Sequence, residues 1–499
     1  MKILSATQFR QWDEYTMLHE PISSLELMER AAGQCTNWLT KKYGHSKPVK
    51  IFCGKGNNGG DGLAIARQFA ETGIISDVFI LEFGSSGNVD FQANLTRLHH
   101  YPVRIHFVQH SDFLPLLCEN DLIIDALLGS GLKRPLEGLF ADTVHHINRS
   151  KSTVVAIDLP TGLFADKAIS DSTVVKATFT LTFQALKLSF LLPDSEPYIG
   201  SVEILDIGLH SDFVSGVHSN YQFIEPSIIS KLYKPRSKFS HKGTYGHALL
   251  LAGEKGKMGA AVLCTKACLR SGAGLASIVV PRDEFLILQT AVPEAMAIDQ
   301  TALEQLNFKA YATIGVGPGM GTGSHGAYLL QTILAHFNKP IVVDADALTI
   351  LSTINNLLND LPPGSILTPH LKEFDRLFNT SENGFDRLQT ARYHSQKLFV
   401  YIILKGHYTA IACPDGEVFF NSTGNPGMAT GGSGDVLTGI VTGLLAQGYQ
   451  PKDACILGVY LHGLAGDIAA AGNSQEALIA RDIISKLGKA FLEISSHEN

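Results

Sequence analysis

Asn425-Pro426-Gly427-Met428-Ala429-Thr430-Gly431-Gly432-Ser433-Gly434-Asp435 runs directly into Val436-Leu-Thr-Gly-Ile-Val-Thr-Gly-Leu-Leu445. Gly427, Gly431, Gly432 and Gly434 take side chains away where backbone N–H groups must face a ligand. The apolar run after them predicts a buried helix. The first turn of such a helix offers unpaired N–H donors and the positive end of its dipole, which is a seat for phosphate. Asp435 stands at the mouth of that seat. A carboxylate there repels phosphate, so it fits better as a base that takes a proton from a hydroxyl approaching phosphorus. The segment therefore points to nucleotide-dependent phosphoryl transfer on an α/β scaffold. A Gly-rich turn before a buried helix is the plainer alternative, and a second phosphate-like loop upstream weighs against it.

Around that segment the chain alternates short apolar runs with helical patterns. In the first half the runs are 49–52, 78–81, 122–127, 154–157 and 178–183; in the second they are 248–252, 275–280, 312–316, 341–344, 365–367 and 401–404. Continuous rather than alternating apolar strands predict burial on both faces, hence largely parallel sheets covered by helices. Residues 6–43 read as one helix anchored by Leu25, Leu27, Met28 and Trp38. A hairpin is expected over 409–420, turning at Pro414-Asp-Gly. The polar stretch 208–227 is the best linker, and 499 residues suit two domains, placed at 1–215 and 225–499.

A net charge of −7 argues against a nucleic-acid partner. The N-terminus lacks a signal-peptide core, and no uninterrupted apolar stretch is long enough to span a bilayer. Seven cysteines scattered singly predict no disulfide framework and a reducing, cytoplasmic location. Cys264 and Cys268 lie one helical turn apart and read as a core pair rather than a metal site.

In the first half, Cys53-Gly-Lys-Gly-Asn57-Asn58-Gly59-Gly60-Asp61-Gly62 follows a strand and opens a helix. It matches neither the dinucleotide fingerprint nor a Walker loop. Asp125 and Asp158 fall at two further strand ends, the first leading into Gly129, Ser130, Gly131, Leu132, Lys133, Arg134 and Pro135, the second into Thr161. Ligands of open α/β sheets bind at such carboxyl ends. A lone Asp after a strand is often only a helix cap, but three strand ends together outline a site for a polar, cofactor-like ligand and a monovalent cation. In the second half, Gly315-Val-Gly317-Pro-Gly, Asp344 and Asp346, His370 with Glu373, and Lys405-Gly406-His407-Tyr408-Thr409 precede the loop at 425–435. Together they outline a nucleotide pocket facing a substrate pocket.

The loop 54–62 and the segments 125–135 and 158–162 resemble the epimerase domain of the bifunctional NAD(P)H-hydrate repair enzymes, and the motifs from His241 onward resemble their ADP/ATP-dependent dehydratase domain. The resemblance covers nearly the whole chain. It implies a Rossmann-like αβα sandwich followed by a ribokinase-like α/β domain, acting on the hydrates of NADH and NADPH. It implies potassium at Asn58, Asp125 and Thr161, hydrate at Asn57–Asp61, Gly129–Pro135 and Asp158, and Lys133 with Asp158 as acid–base candidates. In the second domain it implies ADP or ATP, with magnesium, at Lys405–Thr409 and Asn425–Gly434, hydrate near Gly317, His370 and Asp435, and assembly into a homo-oligomer. Three positions depart from the usual pattern: Leu371-Lys372 after His370, Thr161 in place of Ser, and Lys55 in place of Pro. The rival reading is a ribokinase-like kinase of a small alcohol with an accessory N-terminal ligand-binding domain.

Overall fold

In a computed structural model of the protein, which describes residues 1–84, 86–168 and 173–496, the chain divides into two compact units, residues 2–219 with 383–385 and residues 220–382 with residue 1 and 386 onward. The first unit carries a seven-stranded sheet. From edge to edge its strands are Arg104–Val108, Ser76–Leu81, Val49–Cys53, Leu122–Ala126, Thr153–Ile157, Phe179–Phe183 and Ser201–Leu205, all parallel. Chain order reverses between Val49–Cys53 and Leu122–Ala126. That reversal opens a crevice at their carboxyl ends, the place where open α/β sheets hold ligands. The loop Gly54–Gly56 (54–56) and Asp125 both stand there. Helix Asn57–Glu71 starts directly above it, and a Cβ on Gly59 would lie 1.8 Å from the Gly54 carbonyl oxygen, so only glycine lets the loop fold onto the helix start.

The expected single helix over 6–43 is two, Ala6–His19 and Ser24–Tyr43. The break lies at Pro21, and Ser23 restarts the chain with a reciprocal cap to Glu26. The stretch taken as linker is also structured. It holds helix Ser211–Gly216, strand Tyr221–Phe223 and the start of helix Pro226–Leu232.

In the second unit the strands lie in the order Tyr221–Phe223, Val418–Phe420, Ala410–Ala412, Tyr401–Leu404, Ile366–Leu367, Ile341–Val343, Thr313–Val316, His247–Leu251, Leu275–Val280 and Met296–Asp299. The strands from Tyr401–Leu404 to Met296–Asp299 pair in parallel. The expected hairpin is present as Ala410–Ala412 antiparallel to Val418–Phe420. Helix Ser433–Ala446 packs on helix Met258–Arg270, with Cys264 and Cys268 fully buried in the seam. The approach is close because Gly439 and Gly443 face the partner: a Cβ on either would sit 2.1 Å from the Cys264 oxygen or 2.0 Å from Ser271 Oγ. Helix Pro451–Asn473 is long and apolar enough to cross a membrane by length and composition alone, but Asp453, His462 and Asp467 interrupt its apolar run and 78% of its apolar window is buried inside the protein, as in a core helix.

Candidate functional site

The second unit holds a cleft of about 850 Å³. Strand Ile341–Val343 delivers Asp344 to its floor. The fully buried Asp344 carboxylate accepts from Lys405 Nζ at 2.8 Å through one oxygen and from Thr438 Oγ1 at 2.7 Å through the other. Burial acts to raise this acid, but the Lys405 charge and the hydrogen bonds outweigh it and hold the carboxyl below its ordinary value. Asp435 lies in the first turn of Ser433–Ala446 and lines the same cleft. It has no hydrogen-bond partner among the described residues. Burial lifts its carboxyl to about 6; Asp344 adds to the rise and Lys405 opposes it. The cleft thus keeps one acid ionised as the anchor of a lysine, and leaves another unpartnered and close to neutrality, as a base requires.

The Gly-rich loop forms the facing wall. Asn425 Oδ1 accepts from the Gly427 N–H at 3.1 Å, and Asp467 clamps the loop from behind, accepting from the Gly424 N–H and from Asn425 Nδ2, each at 2.8 Å. Half-buried His462 lines the cleft beside Ser433, its Nε2 3.3 Å from Ser433 Oγ; desolvation lowers it to about 4, so the ring is neutral. His370 caps helix Leu371–Phe378: its Nδ1 accepts the backbone N–H groups of Lys372 and Glu373 at 3.1 and 3.2 Å. The Leu371-Lys372 departure therefore leaves the cap intact, and Nε2 is the nitrogen that carries the proton in the neutral ring.

The first unit holds a cavity of about 320 Å³, lined among others by Asp13, Asn57, Asp61, Ser130, Asp158 and Lys187. Asp158, whose φ is +65°, turns its carboxylate so that Oδ1 meets Lys187 Nζ at 2.8 Å and Oδ2 accepts the Ser130 N–H at 3.0 Å. Lys187 is almost wholly buried, donates to Thr182 Oγ1 at 2.7 Å and lies 4.4 Å from the centre of the Phe9 ring. Burial acts to raise Asp158, yet the Lys187 charge and these hydrogen bonds bring it below its ordinary value. Behind the cavity, Asp125 Oδ1 accepts from Thr161 Oγ1 at 2.7 Å and Oδ2 from the Thr161 N–H at 2.8 Å.

A family model described as NAD(P)H-hydrate dehydratase matches residues 248–489, and one described as YjeF-related protein N-terminus matches 24–189. A bifunctional NAD(P)H-hydrate repair enzyme from Moorella thermoacetica is 35% identical over 98% of this chain and 96% of its own length. The chain belongs to the bifunctional NAD(P)H-hydrate repair enzyme family. The Escherichia coli repair enzyme is 34% identical over 93% of the chain and 88% of its own. Among solved structures, an ADP/ATP-dependent NAD(P)H-hydrate dehydratase from Bacillus subtilis, co-crystallised with ATP and Mg²⁺, is 31% identical with a TM-score of 0.50, covering 55% of this chain and 98% of its own. A ribokinase-like superfamily protein from Enterococcus faecalis is 30% identical with a TM-score of 0.51, covering 56% and 98%.

In this repair-family chain the sequence motifs and the cavities coincide only in part. His370, Lys405, Gly406, His407, Thr409, Asn425, Pro426, Met428, Ala429, Thr430, Ser433, Gly434 and Asp435 line the large cleft; Tyr408, Gly427, Gly431 and Gly432 do not. Gly317 is also outside the lining. Its φ of +130°, and a Cβ that would fall 1.8 Å from the Asp344 oxygen, make it a backbone requirement of the adjoining strand end. In the first unit Asn57, Asp61, Ser130 and Asp158 line the cavity, while Asn58, Gly59, Gly60, Gly129, Gly131, Leu132, Arg134 and Pro135 do not. Lys133 is exposed and outside that lining; the amine that meets Asp158 is Lys187. Sequence reasoning missed Lys187, Asp13, His462 and Asp467. Lys187 alone left a signal: a single cation inside the apolar run 185–192 that a core tolerates only when paired.

Proposed function

We infer that this chain repairs hydrated NADH and NADPH. The first unit interconverts the R and S hydrates; the second restores the reduced cofactor from the S hydrate at the expense of ADP or ATP. The observation that carries this reading is the unpartnered Asp435 carboxyl in the wall of the large cleft, in the first turn of a buried helix whose first residues, Ser433 and Gly434, line the same space. Asp435 takes the proton from the hydroxyl on the hydrated ring carbon, and that oxygen attacks phosphorus. The N–H donors of the loop and Lys405, steadied by Asp344, stabilise the charge on the transferring group. Phosphate then leaves the ring far more readily than hydroxide, and elimination restores the dihydronicotinamide. Magnesium, with which the Bacillus subtilis relative was co-crystallised together with ATP, would when bound offset the charge of the nucleotide's phosphates.

Potassium fits the first unit. Both amide atoms of Asn58 are buried without a partner, an arrangement that asks for a ligand. Asp125, beside Thr161, is completely buried and pushed up to about 6, burial prevailing over its hydrogen bonds from Thr161 and Leu127. A cation held by Asn58, Asp125 and Thr161 would supply the missing positive charge. Lys133 and Arg134, both exposed, would contact the hydrate from the segment 129–135.

The test follows recovery of near-ultraviolet absorbance from mixed hydrate epimers with ADP or ATP. Wild type converts both epimers and releases free phosphate. Asp435→Asn restores no absorbance but still equilibrates the epimers. A stable phosphate ester as product would instead identify a kinase of a small alcohol, and undiminished recovery by Asp435→Asn would remove the assigned base.

A further inference from the structure

The geometry points to Asp13 as the proton carrier of the first unit, relaying a proton between the hydroxyl and the ring nitrogen of the bound hydrate. This rests on the epimerase reading of that unit. Asp13 lies in helix Ala6–His19 and lines the cavity together with Arg10, Glu14, Asp61, Asp158 and Lys187. Its carboxyl has neither a hydrogen bond nor an ion pair among the described residues. Asp158 is engaged on both oxygens, by Lys187 Nζ at 2.8 Å and the Ser130 N–H at 3.0 Å. An acid so occupied orients a substrate but does not cycle a proton. Asp61 is raised well above its ordinary value by burial, and further by Asp158, Asp13, Asp90 and Glu29, which disfavours its carboxylate form. Asp13 is brought to about 7, by burial first and Asp158 next, against the opposing charge of Lys187. Glu14, the fourth acid lining the cavity, is exposed; of Asp13, Asp61 and Asp158, Asp13 is the one able both to take and to return a proton near neutral pH.

The chemistry needs one such group. Hydration of an enamine leaves the hydroxyl on the carbon next to nitrogen, so the two hydrates are epimers at a hemiaminal carbon. The Asp13 carboxylate takes the hydroxyl proton. The O–H electron pair becomes the second C=O bond, the ring C–N bond breaks, and its pair stays on nitrogen, which receives the proton from Asp13. The open aldehyde turns about its C–C bond. Asp13 then takes the N–H proton, the nitrogen pair closes on the other face, and the carbonyl oxygen is reprotonated. Nothing is oxidised or reduced, and no water enters. Lys187 acts through Asp158, as a positioning residue.

The experiment uses the full chain with separated R and S hydrates and no nucleotide, following each epimer by chromatography. Asp13→Asn should slow epimerisation about 10²- to 10⁴-fold, while dehydration of the S hydrate by the same preparation, with ADP added, keeps its wild-type rate. Wild-type epimerisation should rise with pH through about 7, and the Asn variant should lose that inflection. Asp13→Glu keeps a carboxyl and should recover part of the rate with the inflection. An Asn variant within about threefold of wild type with an unchanged profile overturns the relay, and so does an Asp13→Glu variant no better than Asp13→Asn, which would leave Asp13 a structural part alone. A wild-type chain that fails to equilibrate the epimers removes the epimerase reading itself, whatever Asp13 does.

Discussion

Replacing Gly439 by alanine tests whether helix packing sets the position of Asp435. The two residues are one turn apart on helix Ser433–Ala446. A Cβ at 439 would stand 2.1 Å from the Cys264 oxygen and 2.8 Å from Ala267 Cβ. Both belong to helix Met258–Arg270, and the first is backbone, which cannot swing aside. Reaching ordinary contact requires the helices to part by about 1 Å. Overpacking of this kind costs about 1–3 kcal/mol, and alanine returns about 1 kcal/mol of helix propensity, leaving a net loss of up to about 2 kcal/mol. For a unit of this size that lowers the melting temperature by up to about 8 °C. The catalytic consequence should be larger, since a 1 Å misplacement of a reacting group costs roughly 10²-fold in rate. Dehydration, read as near-ultraviolet recovery, should fall by that order while epimerisation is unchanged. Gly488→Ala is the control: nothing lies within 4 Å of its Cβ position, and it should stabilise by about 0.5–1 kcal/mol with no loss of either activity. A Gly439→Ala chain with wild-type melting and full dehydration would refute the argument.

The raised Asp435 has two readouts. Its folded value of about 6 lies above its ordinary 3.8, so its stabilising contribution is complete below that ordinary value and is lost as pH rises through about 6. Asp435→Asn should therefore stabilise the second unit at neutral pH, by on the order of 1–3 kcal/mol, while abolishing dehydration; a lower melting temperature would contradict the assigned burial cost. Exchanging potassium for lithium should depress epimerisation and leave the near-ultraviolet recovery from pure S hydrate unchanged, and Asn58→Ala should remove the sensitivity to the cation; equal activity in both salts would empty the proposed site.

The central strands were legible because burial on both faces leaves unbroken apolar runs such as Ile123-Ile124 and Val342-Val343. The strands at the edges were not. Arg104–Val108 is mostly exposed and carries Arg104 and His106, so it shows no such run. Met296–Asp299 and Ser201–Leu205 escaped for the same reason. The break between the first two helices was readable in principle from Pro21 and the Ser23-x-x-Glu26 cap. Loops rich in glycine announced themselves in both sites, since backbone that approaches a ligand must lose its side chains. The acids and amines that face those loops did not. Asp13, Lys187, His462 and Asp467 come from elements with no motif of their own, and only tertiary folding brings the first three to the cavities and Asp467 behind the loop. Lys133, an acid–base candidate from the resemblance, is exposed and outside the cavity lining, while the amine that meets Asp158 is Lys187.

The clamp of Asp467 on Gly424 and Asn425 has a consequence for biosynthesis. The loop that would cradle phosphate leaves the ribosome more than forty residues before the carboxylate that secures it. Until that later helix emerges and docks, the glycines have no restraint from behind and the nascent chain cannot present an organised anion seat. Nucleotide affinity is thus among the last properties a growing polypeptide of this kind acquires, and a transcript cut short before codon 467 would yield a product with the motif intact and its grip missing.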